Sequence, residues 1–125
     1  MKNELLQLFP VPLLIIPYKE SIDEELNFLK NISYREQKQN GNYRSDDSYL
    51  LKQNILSKIK TFLFESLNEY TNNVLNSKQR LVITQCWANR NPKGSKHHEH
   101  VHPNSIVSGV MYFQINDKSP PIQFA

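Results

Sequence analysis

The stretch His97-His98-Glu99-His100-Val101-His102-Pro103-Asn104-Ser105, running on into Ile106-Val107-Ser108-Gly109-Val110-Met111-Tyr112-Phe113, decides how the rest of the chain is read. It holds all four histidines of the protein within six positions. Imidazole is the commonest protein metal ligand, and its charge changes near neutral pH. In an extended strand alternate side chains share a face. His98, His100 and His102 would then point one way, and His97, Glu99 and Val101 the other. Two imidazoles at i and i+2 on one face can grip one ion, because the strand fixes the angle between them. A solvated polar loop is the alternative. A purification tag fits less well, since the cluster is internal and broken by Glu99 and Val101.

Working outward, Pro103-Asn104-Ser105 is a turn signal: proline presets φ, and Asn and Ser bond their own backbone. Ile106 to Ile115 is rich in branched and aromatic residues and reads as a long strand. A metal dyad ending one strand (98–102), a short turn and a second strand (106–116) is the geometry of a small double-stranded β-helix. Asp117-Lys118-Ser119-Pro120-Pro121 is a further turn, and Ile122-Gln123-Phe124-Ala125 begins another strand.

Upstream, Arg80 to Asn89 reads as a strand. Leu81, Ile83, Gln85 and Trp87 share one face, and Val82, Thr84, Cys86 and Ala88 the other; both are largely apolar, which predicts burial on two sides. Asn91-Pro92-Lys93-Gly94 turns the chain towards the histidines. The strongest periodic signal precedes this: Leu51, Ile55, Ile59, Leu63, Leu67, Tyr70 and Val74 recur at helical spacing, widened by Phe62 and Phe64. Asp46 or Asp47 can cap that helix, Asn76-Ser77 and Lys78 mark its end, and its stripe is core rather than chemistry. Residues 33–46 read as a polar surface loop turning at Asn40-Gly41-Asn42. Tyr43 and Arg44 could rim a substrate site, but a solvated loop is the preferred reading. Ser21 with Glu24 is a capping-box pattern, with Asp23, Glu24 and Glu25 favouring the helix start, and this helix should fade near Ile32. Residues 6–18 are extended, and their prolines confine them to an edge of the main sheet.

A chain of 125 residues predicts one domain with a modest core. Net charge +3 and a pI near 9.0 are mild. The lysines and arginines are dispersed, with only Lys93 and Lys96 flanking the histidines, which argues against nucleic-acid binding. One cysteine, Cys86, excludes an intramolecular disulfide, suits a reducing cytoplasm and reads as a packed thiol rather than a nucleophile. No apolar run approaches the roughly 18 residues of a membrane helix, and no secretion signal is evident. The bias towards Asn, Lys and Ile fits an AT-rich phage or marine bacterial genome.

Three segments together resemble a known family. Trp87-Ala88-Asn89-Arg90-Asn91-Pro92-Lys93-Gly94, then His100-Val101-His102-Pro103-Asn104-Ser105, then Ser108-Gly109-Val110-Met111-Tyr112 are similar to the 2-oxoglutarate/Fe(II) oxygenases of marine phages and bacteria. Phe9-Pro10-Val11-Pro12 echoes the family's start. The detailed likeness covers about residues 80 to 125. It implies an α+β protein in which N-terminal helices pack on the first half of a double-stranded β-helix, jelly roll or cupin-like. Residues 1–79 would form the N-terminal strand and helices, and residues 80–125 the strands carrying the metal motif.

The resemblance also implies Fe(II) and 2-oxoglutarate as cofactors, O₂ as co-substrate, and hydroxylase-type oxidation. It carries over His100 and His102 as metal ligands, since Pro103 directly follows the second. It leaves His98 beside the metal as a neighbouring or substrate-side group. Trp87, Asn89, Ser105 and Tyr112 become pocket candidates, with packing in the core an equal reading for Trp87. Gly109 would permit close backbone approach. Two departures stand out. His102 occupies the place where the wider superfamily carries a carboxylate, and more imidazole should raise the Fe(III)/Fe(II) potential. No histidine follows His102 and no arginine follows Arg90, so the third ligand and the oxoacid anchor are missing. A truncated or split oxygenase is therefore expected, with an oligomer or partner completing the sheet. The competing expectations are a non-catalytic interaction module and a cupin-like protein holding Zn, Ni or Mn.

Overall fold

The computed structural model describes residues 10–124. It is an α+β arrangement: α1 (Asp23–Asn31), a hairpin of β1 (Tyr34–Gln37) and β2 (Asn42–Ser45), two short 3₁₀ turns (Leu50–Lys52 and Asn54–Leu56), α2 (Ser57–Asn73) and β3 (Asn89–Arg90). The sheet is antiparallel in the order β1-β2-β3.

α1 begins as its acidic first turn predicts. Ser21 acts by a shorter route than a capping box: its Oγ accepts the Asp23 N–H at 3.3 Å and donates to Asp23 Oδ2 at 2.8 Å. Leu29 is the buried apolar residue of this helix. At its C-terminus, where carbonyls lack helical partners, the Tyr34 hydroxyl donates to Leu29 O at 2.7 Å and ties the helix to β1.

The loop expected over 33–46 is instead the central hairpin. Its tip was placed correctly, and Gly41 adopts φ +68°, which glycine takes without the Cβ clash. Its strands escape a hydrophobicity reading because their buried residues are polar: Asn42 is 2 % exposed and Ser45 0 %.

The long helix is also corrected at its start. Neither Asp46 nor Asp47 caps α2; Asp47 instead folds the chain just before the first 3₁₀ turn, accepting the Tyr49 N–H at 2.6 Å and the Gln53 amide at 3.3 Å. Regular α-helix begins only at Ser57. Leu50, Leu56 and Leu29 form the apolar core, and Phe28, Ile32, Ala88 and Phe113 pack against it. Ile59 is buried from the predicted stripe, whereas Ile55 faces solvent.

The segment described over 10–18 runs beside α2 rather than pairing with a sheet: Tyr18 meets Phe62 edge-on at 4.8 Å, and the Tyr70 hydroxyl donates to Pro12 O at 3.1 Å. The part of that segment before Pro10, including Phe9 of the family echo, lies outside the described residues, as does Ala125.

Downstream of α2 the expected strands are mostly absent. Over 80–89 only Cys86 bridges Tyr49, in parallel, before β3 begins at Asn89. Val82 is 67 % exposed, so this stretch is not buried on two sides. Residues 98–102 and 106–116 form no ladder among the described residues. A strand exists only when a neighbour takes its backbone groups, and no described segment lies alongside them as that neighbour. Residues 106–113 nevertheless keep a two-residue rhythm: Val107, Met111 and Phe113 are half-buried, while Ile106, Val110 and Tyr112 are exposed. Open space surrounds Gly109, where an added Cβ would meet nothing within 4 Å, so no close backbone approach occurs there.

The three turns predicted downstream of α2 form. Ser95 N–H donates to Pro92 O at 3.0 Å, Ser105 N–H to His102 O at 3.2 Å, and Ser119 N–H to Asn116 O at 2.9 Å. Asn104 sits at φ +60° with Pro103 before it, the sequence preference of a type II turn.

Candidate metal centre

The histidine run leaves the sheet at β3 and is carried back past the hairpin by the turn at Pro92–Gly94. Its position is set there by contacts to the hairpin tip. The Lys96 N–H donates to Asn40 O at 2.9 Å. The Asn40 side-chain amide donates to His98 Nδ1 at 3.1 Å. His97 is held separately, its Nε2–H donating to Asn91 Oδ1 at 2.9 Å.

Three imidazoles lie in succession. The His98 and His100 ring centres are 5.2 Å apart, and those of His100 and His102 are 4.9 Å apart and nearly perpendicular. The alternation expected of the run thus brings these rings together even without strand pairing. His102 also lies 6.1 Å from the Trp87 ring. The Arg44 guanidinium covers that indole at 4.4 Å, and its Nη2 donates to Ser48 Oγ at 3.0 Å. Arg44 is therefore packed on the indole, not free in a solvated loop.

Hydrogen bonding assigns the tautomers. A backbone carbonyl can only accept, so His100 Nδ1, 2.8 Å from His98 O, carries the proton. Its Nε2 lone pair is left free, the arrangement metal-binding histidines adopt when the other ring nitrogen is anchored. His98 has the opposite arrangement: its Nδ1 accepts from Asn40, which puts its proton on Nε2. Burial, followed by the neighbouring His100 and His98 rings, holds the His97 pKa below the usual imidazole range.

The other candidates are dispersed. Asn89 is exposed in β3, paired with Arg44. Ser105 Oγ donates to Val107 O at 2.8 Å and lies 3.2 Å from Ser108 Oγ, so it serves its own turn. Tyr112 is 55 % exposed. Two clefts lie elsewhere: one of about 540 Å³ between Tyr18 and Phe62, and one of about 330 Å³ beside Phe28 and Asp47. Neither is lined by a histidine.

Among the described residues no group of three or more His, Cys, Asp or Glu side chains is set to hold a metal ion. His100 and His102 would supply at most two positions of a metal's coordination shell, leaving the rest to other groups. Sequence reasoning missed Asn40, which contacts the histidine run from the hairpin tip, and offered Arg44 only as a less favoured substrate-rim residue, not as the partner of Trp87; the turn signal at Asn40-Gly41 located the tip but not its contact.

Residues 85–125 match a family model described as Putative 2OG-Fe(II) oxygenase. The match takes in β3, the whole histidine run and the apolar segment after it, about a third of the chain. No curated protein and no solved structure matches the chain. The family carries iron and 2-oxoglutarate dependence, with small-molecule co-substrates. No helix among the described residues is long and apolar enough to cross a membrane.

Proposed function

We propose that residues 85–125 are the metal-binding edge of an Fe(II)/2-oxoglutarate-dependent dioxygenase, with His100 and His102 as two of the iron ligands. The observation carrying this reading is the His100 tautomer: Nδ1 is anchored on a backbone carbonyl and Nε2 is open, next to the His102 ring, inside the segment that matches the family. When bound, iron and 2-oxoglutarate supply O₂ activation for the oxidation of a substrate C–H bond. The chain's own residues hold and orient. Trp87 backs His102, Arg44 holds Trp87 from its face, and the Pro103–Asn104 turn ends the ligand pair abruptly.

His98 stands beside the ligands rather than among them. Asn89, Ser105 and Tyr112 are assigned to the pocket that forms when the apolar side of residues 106–115 is covered. The finer fold we assign is a double-stranded β-helix. Its support is the alternation of Val107, Met111 and Phe113 with Ile106, Val110 and Tyr112. Polypeptide packing on the exposed side, which shows Ile106, Val110, Tyr112 and Ile115, would contribute the third ligand and the oxoacid anchor. A reducing cytoplasm is the setting we assign, since the single cysteine, Cys86, can form no intramolecular disulfide.

The test is a Co(II) titration followed through the protein's single tryptophan, Trp87, which lies near enough to His102 to be quenched. Replacing His100 or His102 by Ala is expected to weaken binding at least tenfold. Unchanged affinity in both variants would overturn the assignment. Preference for Zn(II) with no effect of 2-oxoglutarate on binding would favour a cupin-like metal protein instead.

A further inference from the structure

We propose that Asn40, at the tip of the β1–β2 hairpin, is a positioning residue that locks His98 as an N–H donor at Nε2 and so excludes it from the metal's ligand set. The inference rests on the reading of His100 and His102 as ligands and extends it to a residue 58 positions away in sequence.

The argument starts from donor chemistry. An amide nitrogen has hydrogens to donate and no lone pair to accept with, so the His98 Nδ1 facing Asn40 Nδ2 at 3.1 Å must accept. In a neutral imidazole an accepting Nδ1 leaves the proton on Nε2. A ring nitrogen that carries a proton cannot ligate. His98 and His100, with ring centres 5.2 Å apart, thus carry opposite tautomers, each set by a partner of fixed character: an amide for His98, a carbonyl for His100.

Asn40 is no chance neighbour. Its carbonyl accepts the Lys96 N–H at 2.9 Å, so backbone and side chain of one residue grip the start of the histidine run at two points. Ser95 packs against the same tip, 3.9 Å from where a Cβ on Gly41 would stand. The consequence is selective. Of three histidines on one side of the run, which by composition alone could form a three-imidazole metal site, only His100 and His102 are left as ligands, and His98 presents an N–H beside them.

The experiment inverts the partner. Asn40→Asp substitutes a carboxylate, which can only accept, and should transfer the His98 proton to Nδ1 and free Nε2. Two-bond ¹H–¹⁵N spectra of the metal-free protein read the tautomers directly. His98 is expected as the Nε2–H form in the wild type and the Nδ1–H form in Asn40→Asp, with His100 as Nδ1–H in both. In Co(II) titrations His98→Ala should change wild-type affinity less than twofold. Asn40→Asp should bind about tenfold more tightly, because a freed His98 Nε2 backed by a carboxylate gains the kind of partner whose presence is worth about that much to a ligand histidine, and the gain should vanish in Asn40→Asp/His98→Ala. A His98 tautomer that is the same in wild type and Asn40→Asp overturns the proposal. So does a His98→Ala loss as large as that of His100→Ala. If His100→Ala and His102→Ala leave affinity unchanged, the oxygenase reading falls, while the metal-free spectra still decide the role of Asn40.

Discussion

Ser45 and Ala88 are bound to each other twice. The Ser45 N–H donates to Ala88 O at 2.9 Å, and the Ala88 N–H donates to Ser45 Oγ at 3.0 Å. Ser45 is wholly buried, and its hydroxyl proton goes to Asp47 O at 2.7 Å. One hydroxyl therefore satisfies two backbone groups and joins the hairpin to the segment that carries Trp87 and leads into β3. Ser45→Ala leaves both groups without that partner in a site closed to water. A loss of about 1–3 kcal/mol of stability is expected, read as a lower urea midpoint. An unchanged midpoint would show that the 86–90 segment does not depend on this link.

Trp87 reports on Arg44. With the guanidinium 4.4 Å above the indole, Arg44→Met should keep much of the side-chain volume but remove the cation–π attraction, at a cost of about 0.5–2 kcal/mol. Trp87 emission should shift to the red as the ring gains water. Emission identical to the wild type would show that the ring is not covered by Arg44 in solution.

Asn104 occupies the left-handed region at φ +60°. Gly there should be tolerated. Val, whose branched Cβ resists that conformation, should cost about 1–2 kcal/mol or unwind the turn. If the turn orders His102, Asn104→Val should also weaken Co(II) binding while Asn104→Gly does not. Equal binding by both variants would uncouple turn from site.

Cys86 supplies a pH signature. Burial raises its pKa above 9.0, so the folded state keeps a proton that the unfolded state loses first. The sign follows from linkage: this contribution to stability is complete below pH 9.0 and declines as pH rises through the folded value. Cys86→Ala should flatten the fall in stability on the alkaline side. Native alkylation at pH 8 should be slower than in urea. Equal rates would show an accessible thiol.

How much of this could be read from the chain follows from which interactions are local. The α2 stripe was legible because helical burial repeats within a few residues, and Ile59 is buried where the period placed it. The turns at Pro92–Gly94, Pro103–Asn104 and Asp117–Lys118 were legible because proline, glycine and asparagine act on their own dihedrals. The hairpin strands were not, since Tyr34-Arg35-Glu36-Gln37 carries no apolar alternation and the buried residues opposite are Asn42 and Ser45. The strand expected at Ile106–Asn116 failed for the converse reason. Its composition favours a sheet, but β-structure belongs to a pair of segments, not to one. The histidine run announced a site, yet its contact with Asn40 depends on tertiary folding that no local pattern encodes.

The grip of Asn40 on His98 and Lys96 also sets an order of events. Bringing together residues 58 apart costs roughly 4 kcal/mol of chain entropy, before any reward from the contact itself. The elements α1, hairpin and α2 close over far shorter spans and can form first. The histidine run then docks last and, by the same reckoning, is among the first parts to open. Amide exchange at Lys96 should therefore be faster than in α2, and faster again when Asn40 is replaced by Ala and the side-chain half of the grip is lost, while α2 stays protected. The centre would be a late-closing clasp on a preformed body, so that whatever binds there also stabilises the closed state.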